Sequence, residues 1–249
     1  MIKLLIISDD FTGALDTGVK FSAAGARTRV STDTQIDFRQ EIAEEVLVLC
    51  APTRHLPPRE AYDMIRSIAQ RAVAAHIGCV YKKTDSALRG NIGAELSAVL
   101  DGSGEKCLSF IPALPGMNRI TVDGVHYIDG VPVDQSVFGQ DPFEPVTESR
   151  VPDLLHLQCD VPVKVISPEE LDSFRPGEEK CIYLFDCASR EDMEREAQRL
   201  YLLGCLKLLA GCAGLAESLP GYLGLRMGEK PQCRIEANRL VVLCGSVNP

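Results

Sequence analysis

The stretch Tyr81-Lys82-Lys83-Thr84-Asp85-Ser86-Ala87-Leu88-Arg89-Gly90-Asn91-Ile92-Gly93 decides how the chain is read. It follows the apolar run Cys79-Val80-Tyr81 and leads into Ile92, Leu96, Val99 and Leu100, which share one face at helical spacing. A strand at 79–81, a polar loop and an amphipathic helix, in that order, make half of a β-α-β unit. The loop gathers Lys82, Lys83 and Arg89 around Asp85, with Thr84 and Ser86 as hydroxyls and Gly90 where backbone can approach a ligand. That is a composition for gripping a small polar anion. The chain as a whole carries a formal charge of -9, so this cation cluster is not background.

The same alternation extends in both directions. Residues 2–8 and 46–50 read as strands. Leu15, Val19 and Ala23 mark one face of a first helix that Gly25 ends. Pro57-Pro58 opens a second helix, striped by Ala61, Ile65, Ile68, Ala72 and Ala75. Residues 107–111, 163–166, 181–185 and 206–209 read as further strands, with a charged helix at 190–203. Between them, Asp123-Gly124 and Asp129-Gly130 sit in hairpin-turn contexts, so residues 120–134 are expected to form an antiparallel flap. The Pro-rich stretch 140–152 reads as an irregular connection. The expected fold is α/β, a mostly parallel sheet with helices on both faces plus an antiparallel hairpin flap. Residues 1–228 form its main domain. Residues 229–249 read as a linker containing Lys230-Pro231, then a strand at 240–243 that starts a second unit at Gly245-Ser246.

Composition narrows the function. At 249 residues, with aliphatic residues dominant and Trp absent, the chain suits a Val/Ile/Leu-rich sheet covered by helices. The acidic balance argues against nucleic acid or an anionic membrane as partner. The ten cysteines include no Cys-x-x-Cys pair and mostly sit in apolar runs, as Cys50, Cys79 and Cys244 do. They read as buried small hydrophobes in a reducing compartment, and no metal ligands are expected. The apolar stretch 2–7 is too short for a membrane span and lacks a signal-peptide pattern, so a cytoplasmic location is expected.

In open α/β sheets ligands bind beyond the carboxyl ends of the strands, and three polar clusters fall there. The first is Ser8-Asp9-Asp10-Phe11-Thr12-Gly13. One Asp suffices as a helix cap; the other is free to accept hydrogen bonds from substrate hydroxyls or to act as a base. The second is Thr53-Arg54-His55, whose guanidinium matches a carboxylate with two hydrogen bonds, while His55 reads as a surface or packing residue. The third is the opening stretch, with Lys82, Lys83, Thr84, Asp85, Ser86 and Arg89. Together they describe a pocket with cations for a carboxylate and carboxylates for hydroxyls, fitting a small polyhydroxy acid. His126 and Asp141-Pro142 lie near the flap, and Gly211-Cys212-Ala213-Gly214 reads as close helix-sheet packing. The chain contains no phosphate loop, dinucleotide fingerprint or nucleophile elbow.

These residues resemble the four-carbon acid sugar kinases, from Ile6 to the end of the chain. The resemblance rests on Asp9-Asp10-Phe11-Thr12-Gly13-Ala14, on 82–93, on Gly124-Val125-His126 with Gly130, on Asp141-Pro142 before Pro145, and on Gly245-Ser246. Ser8, Asn118 and Gln135-Ser136 depart from the pattern expected of that family. The resemblance implies a two-domain enzyme using ATP and Mg. Its N-terminal domain binds a sugar acid such as threonate or erythronate, and transfer occurs in the cleft between the domains. It places Asp10, Arg54, 83–86 and Arg89 on the acid, with Asp9 and Lys82 beside them, and Ser246 near the nucleotide phosphates. Asp10 is the expected catalytic residue. Most of the nucleotide-binding domain has no counterpart in this chain, so the chain alone is expected to bind the acid without phosphorylating it, with a separate nucleotide-binding domain as partner. A stand-alone sugar-acid binding module is the alternative, and homo-oligomerisation is left open.

Overall fold

The computed structural model describes residues 1–40 and 43–229. In chain order the elements are β1 (Leu4–Ser8), α1 (Phe11–Ala23), β2 (Thr28–Ser31), β3 (Val46–Cys50), α2 (Pro58–Ala74), β4 (Cys79–Lys83), α3 (Ile92–Ser103) and β5 (Cys107–Ile111). There follow β6 (Arg119–Val122), β7 (Val125–Ile128), β8 (Val131–Pro132), α4 (Val151–His156), β9 (Val163–Ile166), β10 (Cys181–Phe185), α5 (Arg190–Leu202), β11 (Leu208–Gly211) and α6 (Ala213–Ser218).

The main sheet has eight strands in the order β2-β3-β1-β4-β11-β5-β10-β9, and every pairing in it is parallel. Strands β1, β3 and β10 are buried at every position, as expected when helices cover both faces and no side of the strand meets water. Side chains alternate between two cores. Leu5, Ile7, Leu47 and Leu49 pack with Ile65, Ile68 and Leu96 of α2 and α3. Leu4, Ile6, Val46 and Val48 pack with Phe21, Met193 and Leu215 of α1, α5 and α6.

The flap is present as a separate three-stranded antiparallel sheet, β6-β7-β8. Its turns place Asp123 and Gly124 at φ 52° and 73°, and Asp129 and Gly130 at 51° and 81°. Positive φ at both central residues is what a two-residue type I′ hairpin turn requires, hence the Asp-Gly pairs.

Several sequence expectations are corrected. Helix α1 exists, but Leu15 and Val19 are 47% and 55% exposed; its buried face is Gly13, Ala14, Thr17, Gly18 and Phe21. Small residues let the helix lie close on the sheet, since a Cβ at Gly18 would meet the side chains of Val30 and Val48 at 3.3 Å. Strand β2 was not expected, being short and partly exposed. The last strand among the described residues is β11 at Leu208–Gly211, beginning two residues after the expected 206. Helix α4 begins at Val151, in the last two residues of the stretch read as irregular, and runs on to His156. Strand β4 runs through Lys83, so Lys82 and Lys83 are strand residues rather than loop residues.

Cys50, Cys79, Cys181, Cys187 and Cys212 are free and buried, as small hydrophobes would be. Among the described residues no helix is long and apolar enough to cross a membrane. The linker from Lys230 onward, the expected strand at 240–243, Cys244, and Gly245 with the nucleotide-site residue Ser246 lie outside the described residues.

Candidate active site at the carboxyl end of the sheet

Strand β1 lies between β3 and β4, with Ser8 in register with Cys50 on one side and Lys83 on the other. The segments that follow these strands, starting at Asp9, Ala51 and Thr84, therefore emerge side by side. This brings the three polar clusters of the sequence together.

Arg54 is the hub. Its Nε donates to Asp9 Oδ2 at 2.7 Å, and its Nη2 lies 3.1 Å from Asp10 Oδ1 and 3.6 Å from Asp85 Oδ1. Burial works against its charge, but Asp9, Asp85 and Asp10 outweigh that penalty and raise its pKa above the ordinary guanidinium value. Arg89 grips Asp85 with a fork, Nε to Oδ2 at 2.8 Å and Nη2 to Oδ1 at 3.1 Å, and extends Nη1 to Asp141 Oδ2 at 3.0 Å. Burial alone favours the neutral form of Asp85. The hydrogen bonds from Arg89, with the charges of Arg54, Arg89 and Lys83, prevail and hold it well below the usual carboxylate range. Asp141 is lowered as well, by the backbone N–H groups of Glu144 and Phe143 and by Arg89.

Asp10 is the N-cap of α1, with extended backbone and Oδ1 accepting from Gly13 N at 3.0 Å. Gly13 leaves room for these side chains: a Cβ there would fall 2.5 Å from Asp10 Oδ1 and 2.8 Å from Lys83 Nζ, so both would have to shift. Lys83 is almost fully buried and donates to its neighbour's carbonyl, Thr84 O, at 2.6 Å. Asp9 Oδ1 and Thr84 Oγ1 are buried without a hydrogen-bond partner. Orphaned polar atoms are rare in native interiors and call for an explanation. A buried water or a polar ligand beside Arg54 would supply one.

The flap closes the other side through Ser86. Arg119 Nη1 donates to Ser86 Oγ. His126 Nε2 lies 3.0 Å from Ser86 O and its Nδ1 lies 3.0 Å from Thr121 Oγ1. A carbonyl can only accept, so Nε2 carries the proton and Nδ1 takes the Thr121 hydroxyl. Burial lowers the pKa of His126 to about 4, which keeps the ring neutral. Phe138 lies beneath both guanidinium groups, 5.0 Å from Arg89 Cζ and 5.2 Å from Arg119 Cζ.

Asp9, Asp10, Arg54, Lys83, Thr84, Asp85, Ser86 and Arg89 are thus assembled at one place. Lys82 is not among them. Strand alternation sends it to the opposite face, where its Nζ lies 2.8 Å from Glu95 Oε2 and both side chains are fully buried. Asn91 precedes α3 but makes no side-chain cap; its Nδ2 donates instead to Thr53 O and Leu56 O at 2.9 and 2.8 Å. His55 is exposed and pairs with Glu144. Cys212 and Gly214 pack tightly, a Cβ at Gly214 falling 2.5 Å from Ala113 O. The sequence reading assigns no role to Arg119 or Glu95. The available signal for Glu95 is a lone charged residue in the run from Ile92 to Leu100, whose other residues are apolar or small apart from Ser97.

The sugar-binding N-terminal domain family matches residues 4–219. A D-threonate kinase from Salmonella typhimurium is 32% identical over 228 residues, covering 88% of this chain and 53% of the relative. A D-erythronate kinase from Heliobacterium modesticaldum is 29% identical over 239 residues, covering 90% and 54%. A crystal structure of a domain of unknown function from Bordetella bronchiseptica, with bound citrate and as a domain-swapped dimer, has a TM-score of 0.76 at 30% identity, covering 88% of this chain and 55% of that one. The chain spans about half the length of the relatives it matches. With the family match over 4–219, and relatives along most of its length named as kinases of four-carbon sugar acids, the chain belongs to the sugar-binding N-terminal domain family of the four-carbon acid sugar kinases.

Proposed function

We propose that the described residues form the acceptor-binding part of an ATP-dependent kinase acting on a four-carbon sugar acid of the threonate or erythronate kind. The observation that carries this reading is the convergence of Arg54, Arg89 and Lys83 with Asp9, Asp10 and Asp85 at the carboxyl ends of β1, β3 and β4. A sugar acid needs both halves of that set. Its carboxylate takes the cations, and its hydroxyls take the carboxylates together with Thr84 and Ser86. The names of the relatives support the substrate class, and a carboxylate-rich ligand, citrate, occurs in the Bordetella relative.

Phosphoryl transfer depends mainly on positioning the acceptor and neutralising charge. Asp10 is assigned to orient or deprotonate the attacking hydroxyl. Its side chain is 26% exposed, against 2% for Asp9 and 10% for Asp85. Its protein contacts fall on Oδ1, which leaves Oδ2 to face an acceptor. The lowered pKa of Asp85 and the raised pKa of Arg54 keep the surrounding charges fixed near neutral pH.

The donor nucleotide is assigned to a part of the enzyme beyond the described residues, because the relatives are about twice as long. Among the described residues no group of His, Cys, Asp and Glu side chains is arranged to hold a metal ion. Mg is usually held by one or two carboxylates together with substrate phosphates and waters, so it is assigned with the donor nucleotide, and none of the roles given to these residues runs through it. The test is a pair of assays on the 249-residue chain: calorimetric binding of D-threonate and D-erythronate, and coupled ADP release from ATP. Binding without turnover is expected. Failure to bind either acid overturns the acceptor assignment, and robust turnover by the chain alone overturns the placement of the donor site.

A further inference from the structure

A second network lies beneath the site. Glu95 and Lys82 face each other at 2.8 Å, both with no exposed side-chain surface, and Lys82 Nζ also donates to Lys83 O at 2.8 Å. The other oxygen of Glu95, Oε1, accepts from the Thr53 hydroxyl. One helical turn earlier, Asn91 Nδ2 takes the carbonyls of Thr53 and Leu56. Gly90, at φ 89°, clears the way, since a Cβ there would fall 3.0 Å from Arg54 Cγ and 3.4 Å from Arg54 Cα. The short segment carrying Arg54 is therefore held by α3 and not by the sheet alone. A buried ion pair costs desolvation that its own attraction rarely repays, so its presence here asks for another role.

We propose that Glu95 is a positioning residue: through the Thr53 hydroxyl it fixes the backbone from which Arg54 reaches Asp9, Asp10 and Asp85, with Lys82 as its buried counter-ion. The expected effect on ligand rests on the sugar-acid reading; the placement of Arg54 does not.

Two double variants separate this role from simple core stability. Lys82→Met/Glu95→Gln removes both charges but keeps an acceptor for Thr53. Lys82→Met/Glu95→Leu removes the acceptor too. The first is expected to bind D-threonate or D-erythronate within about threefold of the parent chain, and the second roughly tenfold more weakly, about the loss of one hydrogen bond. Equal affinity in the two variants, or an equal loss in both, overturns the proposal. Thr53→Val, which leaves the ion pair in place, is expected to reproduce the tenfold loss if the Leu variant does not fold; unchanged affinity there also overturns it. The ligand-independent readout is the Arg54 Nε–Hε NMR signal, identified by its absence in Arg54→Lys. Its proton is expected to exchange with water at least roughly tenfold faster in the Leu variant or in Thr53→Val than in the Gln variant, as the bond to Asp9 loosens. Equal exchange overturns the proposal even if the parent chain binds neither acid, an outcome that by itself refutes only the sugar-acid reading.

Discussion

The two ends of the parallel sheet differ in how their charged side chains are engaged. At the amino ends of β1, β4 and β11 lies an open cavity of about 480 Å³ lined by Ile2, Lys3, His76, Tyr201, Tyr222 and Leu223, among others. Its cations are already engaged locally: Lys3 lies 2.9 Å from Glu45 and donates to Gly224 O, and Lys207 faces Glu105. At the carboxyl end the charges are shared. Arg54 serves three aspartates, Arg89 bridges Asp85 and Asp141, and Asp9 Oδ1 and Thr84 Oγ1 are left without partners. The amino-end cavity is space left between elements. At the carboxyl end the groups form a connected network, proposed above to hold a polar ligand, and helix N-termini there add N–H groups that favour anions.

Substitutions at the two ends should respond accordingly. The largest effect is expected beneath the carboxyl end. Glu95→Ala strands Lys82 in the core and should cost about 3–5 kcal/mol of stability in urea denaturation, whereas the charge-balanced pair of variants should cost far less. Next is acid sensitivity at the flap. His126 is held near a pKa of about 4 in the folded chain, against an ordinary value of 6.5. The unfolded chain therefore binds more protons between these values, and stability falls as pH drops through this window. The full loss is on the order of 3 kcal/mol, and His126→Gln should remove this part of the pH dependence in melting scans. Asp85 adds a loss of the same direction at lower pH. Its contribution is complete above the ordinary carboxylate value of 3.8 and disappears as pH falls toward its lowered one.

Arg89→Ala leaves Asp85 and Asp141 without their fork and should weaken sugar-acid binding by about 2–3 kcal/mol, roughly 30- to 150-fold in Kd by calorimetry. At the amino end Tyr201→Ala, half exposed against Tyr222, should cost less than about 1 kcal/mol of stability and leave affinity within about twofold. If Tyr201→Ala weakened binding as much as Arg89→Ala, the contrast between the two ends would fail.

The alternation of apolar strands and striped helices was legible because each strand is long enough, and buried enough, to read as a Val/Ile/Leu run, as β1 and β3 do. The turns of the flap were legible because Asp-Gly pairs carry their own backbone chemistry. The partly exposed β2 was missed, since the sequence Thr28-Arg29-Val30-Ser31 lacks an apolar run. The face of α1 was misread because Leu15 and Val19 are more apolar than Gly13, Thr17 and Gly18, yet the smaller residues make the contact. Burial by close approach leaves no hydrophobic stripe to find. The site clusters around Asp9, Arg54 and Asp85 were found by type and position, but the separate fates of Lys82 and Lys83 required the end of β4. Extending that strand two residues past Tyr81 puts the lysines on opposite faces. A buried lysine in a strand runs against hydropathy, and it is tolerable because Glu95 of α3 and the Lys83 carbonyl meet its ammonium.

The central claim is that the charged groups at the carboxyl end hold a four-carbon sugar acid through Arg54. Calorimetric titration of the 249-residue chain with D-threonate and with D-erythronate, repeated on Arg54→Ala, tests it most directly. Saturable binding of at least one of these acids by the parent chain is expected, with a loss of roughly 30-fold or more in the variant. No binding by the parent chain, or binding that survives Arg54→Ala unchanged, would contradict it.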